Sequence, residues 1–230
     1  MREIVLDTET TGLDPLLGHR LVEIGALELF NHLPTGKTYH TYINPNCDMP
    51  REAEAVHGLS SDFLRDKPPF ASIADAFREF IADTTLIIHN ASFDVGFLNA
   101  ELGFLKKPAI LYERVVDTLA LAKKRHPMGP NSLDALCKRY GIDTFKRNKH
   151  GALVDCELLA EVYLELVGGR QIALTLPKTD NVRQLSISQA STVVRRERPL
   201  ASRLTAEELQ AHEKMVRDLG DAALWSSKRA

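Results

Sequence analysis

Four carboxylates and one histidine stand where elements of structure begin or end. The stretch EIVLDTETTGL, residues 3–13, is an apolar run that finishes in Asp7 and Glu9. Residues two apart in a strand point to one face, so these acids project together while Thr8 turns away. Asp94 follows the apolar run LIIHN and falls near the start of the next helix. Asp155 falls in the first turns of another helix, five residues after His150. Four carboxylates in one pocket cannot all stay ionised unaided. Hard divalent cations supply the missing charge, and oxygen-only ligands select Mg²⁺ or Mn²⁺ over zinc. Two such ions about 3.5–4 Å apart are a known solution for in-line displacement at phosphorus. Singly, each signal is weak: Asp-x-Glu pairs are common, an acid at Asp94 also suits a helix N-terminus, and a histidine in a polar loop is usually solvated. Their joint occurrence, in order and at element boundaries, is what points to chemistry.

An α/β chain would have to position them. Residues 2–7, 20–30 and 38–44 read as three strands, with HLPTG as a hairpin-like connection between the second and third. Then elements alternate: a helix over 70–83, a short apolar strand over 85–89, a helix over 93–105, a strand over 114–118 and a helix over 132–141. The strongest helical pattern, 151–169, ends in Gly168-Gly169. A three-strand start followed by strand–helix alternation implies a mixed sheet flanked by helices. Residues 170–203 are polar and aperiodic and read as a linker. A last amphipathic helix starts near Thr205, with Glu208 three residues on as a capping box and Leu209, Val216 and Leu219 as a narrow apolar stripe.

The chain has 230 residues, enough for one substantial domain with an appendage, and 44% are hydrophobic. A formal net charge of -2 does not by itself mark a polyanion binder. Cys47, Cys137 and Cys156 form no C-x-x-C pair, so neither a zinc site nor a disulfide framework is indicated. The start MREIVLD lacks a signal-peptide pattern, and no apolar run nears the ~20 residues of a membrane span. A cytoplasmic protein is expected.

The strings VLDTETTG, IIHNASFD and HGALVD resemble the three motifs of the DEDDh 3′–5′ exonucleases, most closely the epsilon-type proofreading branch of bacterial DNA polymerase III. The resemblance runs from residue 3 to about 169 and includes VHGL (56–59) and NSLDALCKRY (131–140). It implies an RNase H-like fold with a five-stranded mixed sheet, as an exonuclease domain over 1–169. It implies Asp7, Glu9, Asp94 and Asp155 as holders of two Mg²⁺ or Mn²⁺ ions and His150 as the general base. An imidazole titrates near neutrality, as that role requires. The expected reaction is removal of 3′-terminal, mispaired deoxynucleotides from a single-stranded 3′ end. An RNA-trimming exonuclease of the same family is the alternative.

By the same resemblance Thr8, Gly12, Leu13, Glu52 and His57 line the pocket for the terminal nucleotide, and His89 lies beside it. A structural turn at Gly12 and a hydrogen-bonded strand-end histidine at His89 are rival readings. Lys123, Lys124, Arg125, Lys138, Arg139, Lys146, Arg147 and Lys149 make residues 123–150 locally basic; some of them suit a surface that follows a DNA backbone, and ordinary solvated helix faces and loops are the alternative reading. In the linker, Gln171, Leu174 and Leu176 resemble a peptide that binds the sliding clamp (beta), with a second candidate starting at Gln184. Residues 204–230, with the single tryptophan Trp225, resemble the tail that tethers such nucleases to the catalytic (alpha) subunit of the polymerase.

Overall fold

The structure is a computed structural model, describing residues 1–145, 150–168 and 204–220. It divides into two units, Met1–Thr175 and Leu176–Ala230. The expected linker, Gln171, Leu174, Leu176, Gln184 and Trp225, lies outside the described residues.

The first unit is built on five strands in the order β3-β2-β1-β4-β5. These are β1 (Arg2–Thr10), β2 (Leu21–Phe30), β3 (Leu33–Tyr42), β4 (Thr85–Ile88) and β5 (Val115–Asp117). The first three pair antiparallel, whereas β4 joins β1, and β5 joins β4, in parallel. This is the expected five-stranded mixed sheet. The hairpin between β2 and β3 differs from the sequence reading. Its turn is Asn31-His32, both at positive φ, and Pro34 and Gly36 lie inside β3. Two central residues at φ > 0 suit the twist of a tight hairpin. Proline is tolerated in β3 because it is an edge strand.

Among the described residues, seven α-helices surround the sheet: α1 (Arg51–His57), α2 (Ser61–Leu64), α3 (Phe70–Ile81), α4 (Ala91–Phe104), α5 (Thr118–Arg125), α6 (Leu133–Tyr140) and α7 (Ala152–Val167). The central strand β1 is buried on both sides. Ile4 and Leu6 face Phe77 and Ile81 of α3 and Phe97 and Leu98 of α4. Val5, one residue out of phase, faces Cys156, Leu159 and Tyr163 of α7. Leu158, Val162 and Leu166 turn the back of α7 onto Ala122 of α5 and Leu136 of α6. Helices α1, α2 and α5 were not legible, being short and interrupted by polar residues. In the second unit, α8 (Ala206–Leu219) has the expected capping box: Glu208 N–H donates to Thr205 Oγ1 at 3.2 Å and Thr205 N–H to Glu208 Oε2 at 2.8 Å. None of its residues is buried.

Candidate active site

The acids gather at the end of β1, where its register with β2 shifts between Glu9 and Thr10. Strand alternation decides which helix each residue meets. Asp7 and Glu9 share the face of Val5 and so look toward α7. Thr8 shares the face of Leu6, and its hydroxyl donates to Asp94 Oδ1 on α4 at 2.6 Å. Asp94 and Asp155 therefore reach the strand end from opposite sides of the sheet.

The approach of α7 depends on a residue that sequence reading passed over. Gly25 of β2 lies opposite Asp7 in the ladder. A Cβ there would stand 2.4–2.5 Å from the Ala152 carbonyl and Leu153 N, so only glycine admits the first turn of α7. The Cys156 thiol seals the contact, donating to Gly25 O at 3.2 Å. Asp155, in that first turn, is thereby brought against β1. Only the close helix contact reveals this, because GALELF reads as an ordinary strand.

Ligand atoms of Glu9, His150 and Asp155 all lie within 4.8 Å of one another. His150 Nδ1 is 3.3 Å from Asp155 Oδ2. Asp7 and Asp94 are not part of that tight group but adjoin it. Burial, then the charges of Asp7, Asp94 and Asp155, push the Cys156 thiol well above its usual range. Burial raises the Asp94 carboxyl to about 7, against the opposing hydrogen bond from Thr8. Oxygen donors dominate, and a buried acid driven toward its neutral form marks a place where a cation would restore charge balance. The donor set fits a hard divalent ion.

A cavity of about 550 Å³ opens beside this group. Thr8, Gly12, Leu13, Glu52 and His57, the residues that the resemblance places at the terminal nucleotide, line it, together with Glu9. Thr11, Leu17, His19, Val56 and Phe93 line it too and were missed. Their signal was weak: Leu17 and Val56 are exposed apolar residues on short elements that look like surface, and nothing in the sequence sets Thr11, His19 or Phe93 apart from core or loop residues. Gly12 also makes room for a neighbour. Its absent Cβ would stand 2.4–2.5 Å from the His19 ring, so the glycine accommodates that side chain. The loop is pinned by Thr11 N–H to Arg20 O at 2.9 Å and by the Arg20 guanidinium on both oxygens of buried Glu101, at 2.6 and 2.7 Å. His57 is buried at the end of α1, its Nδ1 accepting Leu59 N–H at 3.0 Å.

His89 is not on the cavity wall. Its Nδ1 pairs with the Thr118 hydroxyl at 2.9 Å, and burial lowers its pKa, the strand-end arrangement that was the rival reading. In the basic region, Arg125 donates to Leu166 O at 2.9 Å and Arg139 to Pro130 O at 3.0 Å, so both guanidiniums tie elements together. Lys123, Lys124 and Lys138 are exposed, and Lys146, Arg147 and Lys149 lie outside the described residues.

Comparison with known proteins agrees with this geometry. An exonuclease family model, that of RNase T, matches residues 4–163. The DNA polymerase III subunit epsilon of Rickettsia prowazekii (strain Madrid E) is 50% identical over 220 residues, covering 94% of this chain and 96% of that protein. The subunit of the same name from Escherichia coli (strain K12) is 42% identical, covering 97% of each. Among solved structures, the nuclease domain of 3′hExo, a DEDDh family member bound to rAMP, matches with a TM-score of 0.63 at 15% identity, over 72% of this chain and 91% of that one. Exonuclease X in complex with 5′ overhanging duplex DNA matches at 0.57 and 24% identity, over 72% and 90%. These likenesses identify the RNase H-like exonuclease fold.

Proposed function

The chain belongs to the RNase T-type exonuclease family, and from that membership we propose how its own residues perform the reaction. Its activity is 3′–5′ exonucleolytic hydrolysis in proofreading for DNA polymerase III, with DNA as substrate. The RNA-trimming alternative is not favoured, since relatives matching along nearly the whole chain are polymerase subunits. Enzymes of the family depend on divalent metal.

The observation that best supports the site is the grouping of Glu9, His150 and Asp155 within 4.8 Å. Asp7, Glu9, Asp94 and Asp155 would hold two Mg²⁺ or Mn²⁺ ions, which supply Lewis-acid activation of water and charge neutralisation at the scissile phosphate. His150 takes the proton of the attacking water, and Asp155 Oδ2 beside its Nδ1 orients the ring. Thr8 fixes the Asp94 carboxylate. The cavity receives the terminal nucleotide: Leu13 stands at its mouth, while Gly12, Glu52 and His57 form its walls. The leaving group is the 3′ oxygen of the shortened strand, and a nucleoside 5′-monophosphate is released.

Within the polymerase assembly, residues 204–230 bind the catalytic alpha subunit, and Gln171, Leu174 and Leu176 bind the beta clamp. The working compartment is the cytoplasm; among the described residues no helix is long and apolar enough to cross a membrane. The test is a ladder assay on 5′-labelled DNA and RNA with Mg²⁺ or EDTA. Stepwise 3′ shortening of DNA with Mg²⁺ alone is expected. Preferential trimming of RNA would overturn the assignment. Truncation after Gly169 should leave hydrolysis of free single strands intact and abolish co-elution with the polymerase.

A further inference from the structure

Another buried carboxylate shares the face of Asp7 and Glu9. Glu23 of β2 lies directly opposite Glu9 in the antiparallel ladder and is 3% exposed. Residues directly opposite in such a ladder point to one face, so Glu23 and Glu9 are side-by-side neighbours. Yet Glu23 is not in the tight group of Glu9, His150 and Asp155. Its carboxylate is engaged by β3 instead. His40 Nε2 donates to Glu23 Oε1 at 2.7 Å.

His40 is itself braced. It lies opposite Gly25, so Asp7, Gly25 and His40 form one row across three strands. The first turn of α7 sits on the middle of that row. The His40 ring meets Tyr42 edge-on at 4.9 Å between centroids, and Tyr42 meets Phe63 of α2 edge-on at 4.9 Å. From Ala152 on Gly25, α7 runs toward the Glu3 end of the sheet, where Tyr163 bonds Glu3. His150 and Gly151 therefore lead away over the next row, which is Glu9, Glu23 and Tyr42.

We propose that Glu23 and His40 are a positioning pair: His40 turns the Glu23 carboxylate toward the sheet edge and away from Glu9, keeping it out of the metal-binding group. This rests on the metal-dependent reading above. A buried carboxylate must find a donor or a cation. With His40 in place the donor is the imidazole. Without it, the nearest compensation is a cation held by Glu9, and Glu23 would draw that cation from its productive position. The pair lets a sheet carry one more acid beside the site without adding a ligand.

The test is a two-residue cycle in the full chain. His40→Ala should lower kcat on a single-stranded oligonucleotide about 10–100-fold, the order by which disturbing the groups around a metal site lowers activity, with KM unchanged. Mn²⁺ affinity by calorimetry should not weaken, and the electron paramagnetic resonance spectrum of bound Mn²⁺ should change. Glu23→Gln keeps the contact with His40 and should stay close to the unsubstituted chain. The Glu23→Gln/His40→Ala double variant should recover most of the lost kcat, since the charge that misplaces the cation is gone. A folded His40→Ala variant with normal kcat overturns the proposal. So does lost Mn²⁺ binding in that variant, or a double variant as slow as the single one. If His40→Ala does not fold, the double variant must fold and turn over; failure there also overturns it. An unsubstituted chain that neither binds Mn²⁺ nor hydrolyses DNA fails the functional reading itself, and the pair with it.

Discussion

Acids are buried at both ends of the β1–β2 ladder, but they are treated in opposite ways. At the Arg2 end, the Arg2 guanidinium holds the Glu28 carboxyl below its usual range, with Thr35 and Lys37 adding to it despite burial. Glu3, 2% exposed at the same end, accepts the Tyr163 hydroxyl at 2.9 Å and has His32 Nδ1 2.8 Å away. At the Thr10 end, the protein places Asp7, Glu9, Asp94 and Asp155 together and leaves Asp94 driven up to about 7. A protein cation completes the first end during folding. On the function proposed above, a cation from solution would complete the second, which would let a stable scaffold and a metal site coexist on one strand.

The contrast breaks most sharply if the functional acids prove to hold the fold. Asp155→Ala and Asp7→Ala should each abolish hydrolysis, while the metal-free protein unfolds at an equal or higher urea concentration, because a like charge is gone. Lost activity together with a large stability loss would make both ends structural. Next in size is His150→Ala, expected to cost about 10²–10⁴ in rate as a general base does. Calorimetric Mn²⁺ binding should persist. Its disappearance would make His150 a ligand.

Gly25→Ala tests the placement of the whole group. The new methyl must displace the first turn of α7, which carries Asp155. A shift near 1 Å at a reacting centre costs about 10²-fold. Hydrolysis should fall by that order, and the crystal structure of the variant should show α7 moved away from β2. Normal activity would mean that Asp155 is placed by something other than this contact.

That glycine also marks the limit of what the sequence discloses. The candidates Asp7, Glu9, Asp94, His150 and Asp155 could be picked out because their chemistry is explicit and they sit at element boundaries, and the structure brings Glu9, His150 and Asp155 within 4.8 Å. The five strands were legible because their apolar runs are bounded by turn residues. The Asn31-His32 turn was hidden because Pro34 and Gly36 nearby are louder turn signals. Gly25 and Glu23 sit mid-strand, and their roles depend on α7 and His40, distant in sequence. Helix α1 carries Glu52 and His57 to the cavity, yet its seven residues are too few to show a period. Short-range pattern reveals residues that act. It conceals residues that make room or hold others still.

Opposite pKa shifts give the two ends opposite pH dependence. Glu28 is lowered, so its contribution is present above the unfolded value of 4.5 and is lost as pH falls through the folded value. Asp94 is raised from 3.8 to about 7, so the native state holds an extra proton between those values. Its contribution is complete below 3.8 and lost as pH climbs to about 7. Urea midpoints of the metal-free chain should therefore carry a downward slope with pH in that window, and Asp94→Asn should flatten it. An unchanged slope would remove Asp94 as its source.

The smallest expected effect lies at the Arg2 end. Tyr163→Phe keeps the ring among Val5, Leu29 and Leu159 and deletes only the hydroxyl that Glu3 accepts. A buried acceptor stripped of its donor costs about 1–3 kcal/mol. Glu3 precedes Asp7 by four residues on β1, about 13 Å of extended chain. Sites separated by more than about 7–10 Å without shared partners combine additively. Tyr163→Phe should therefore lower the urea midpoint and leave kcat and Mn²⁺ affinity as they were, and in combination with Asp155→Ala the two stability changes should sum. A loss of activity in Tyr163→Phe would mean that α7 passes strain along its length from one end of the ladder to the other.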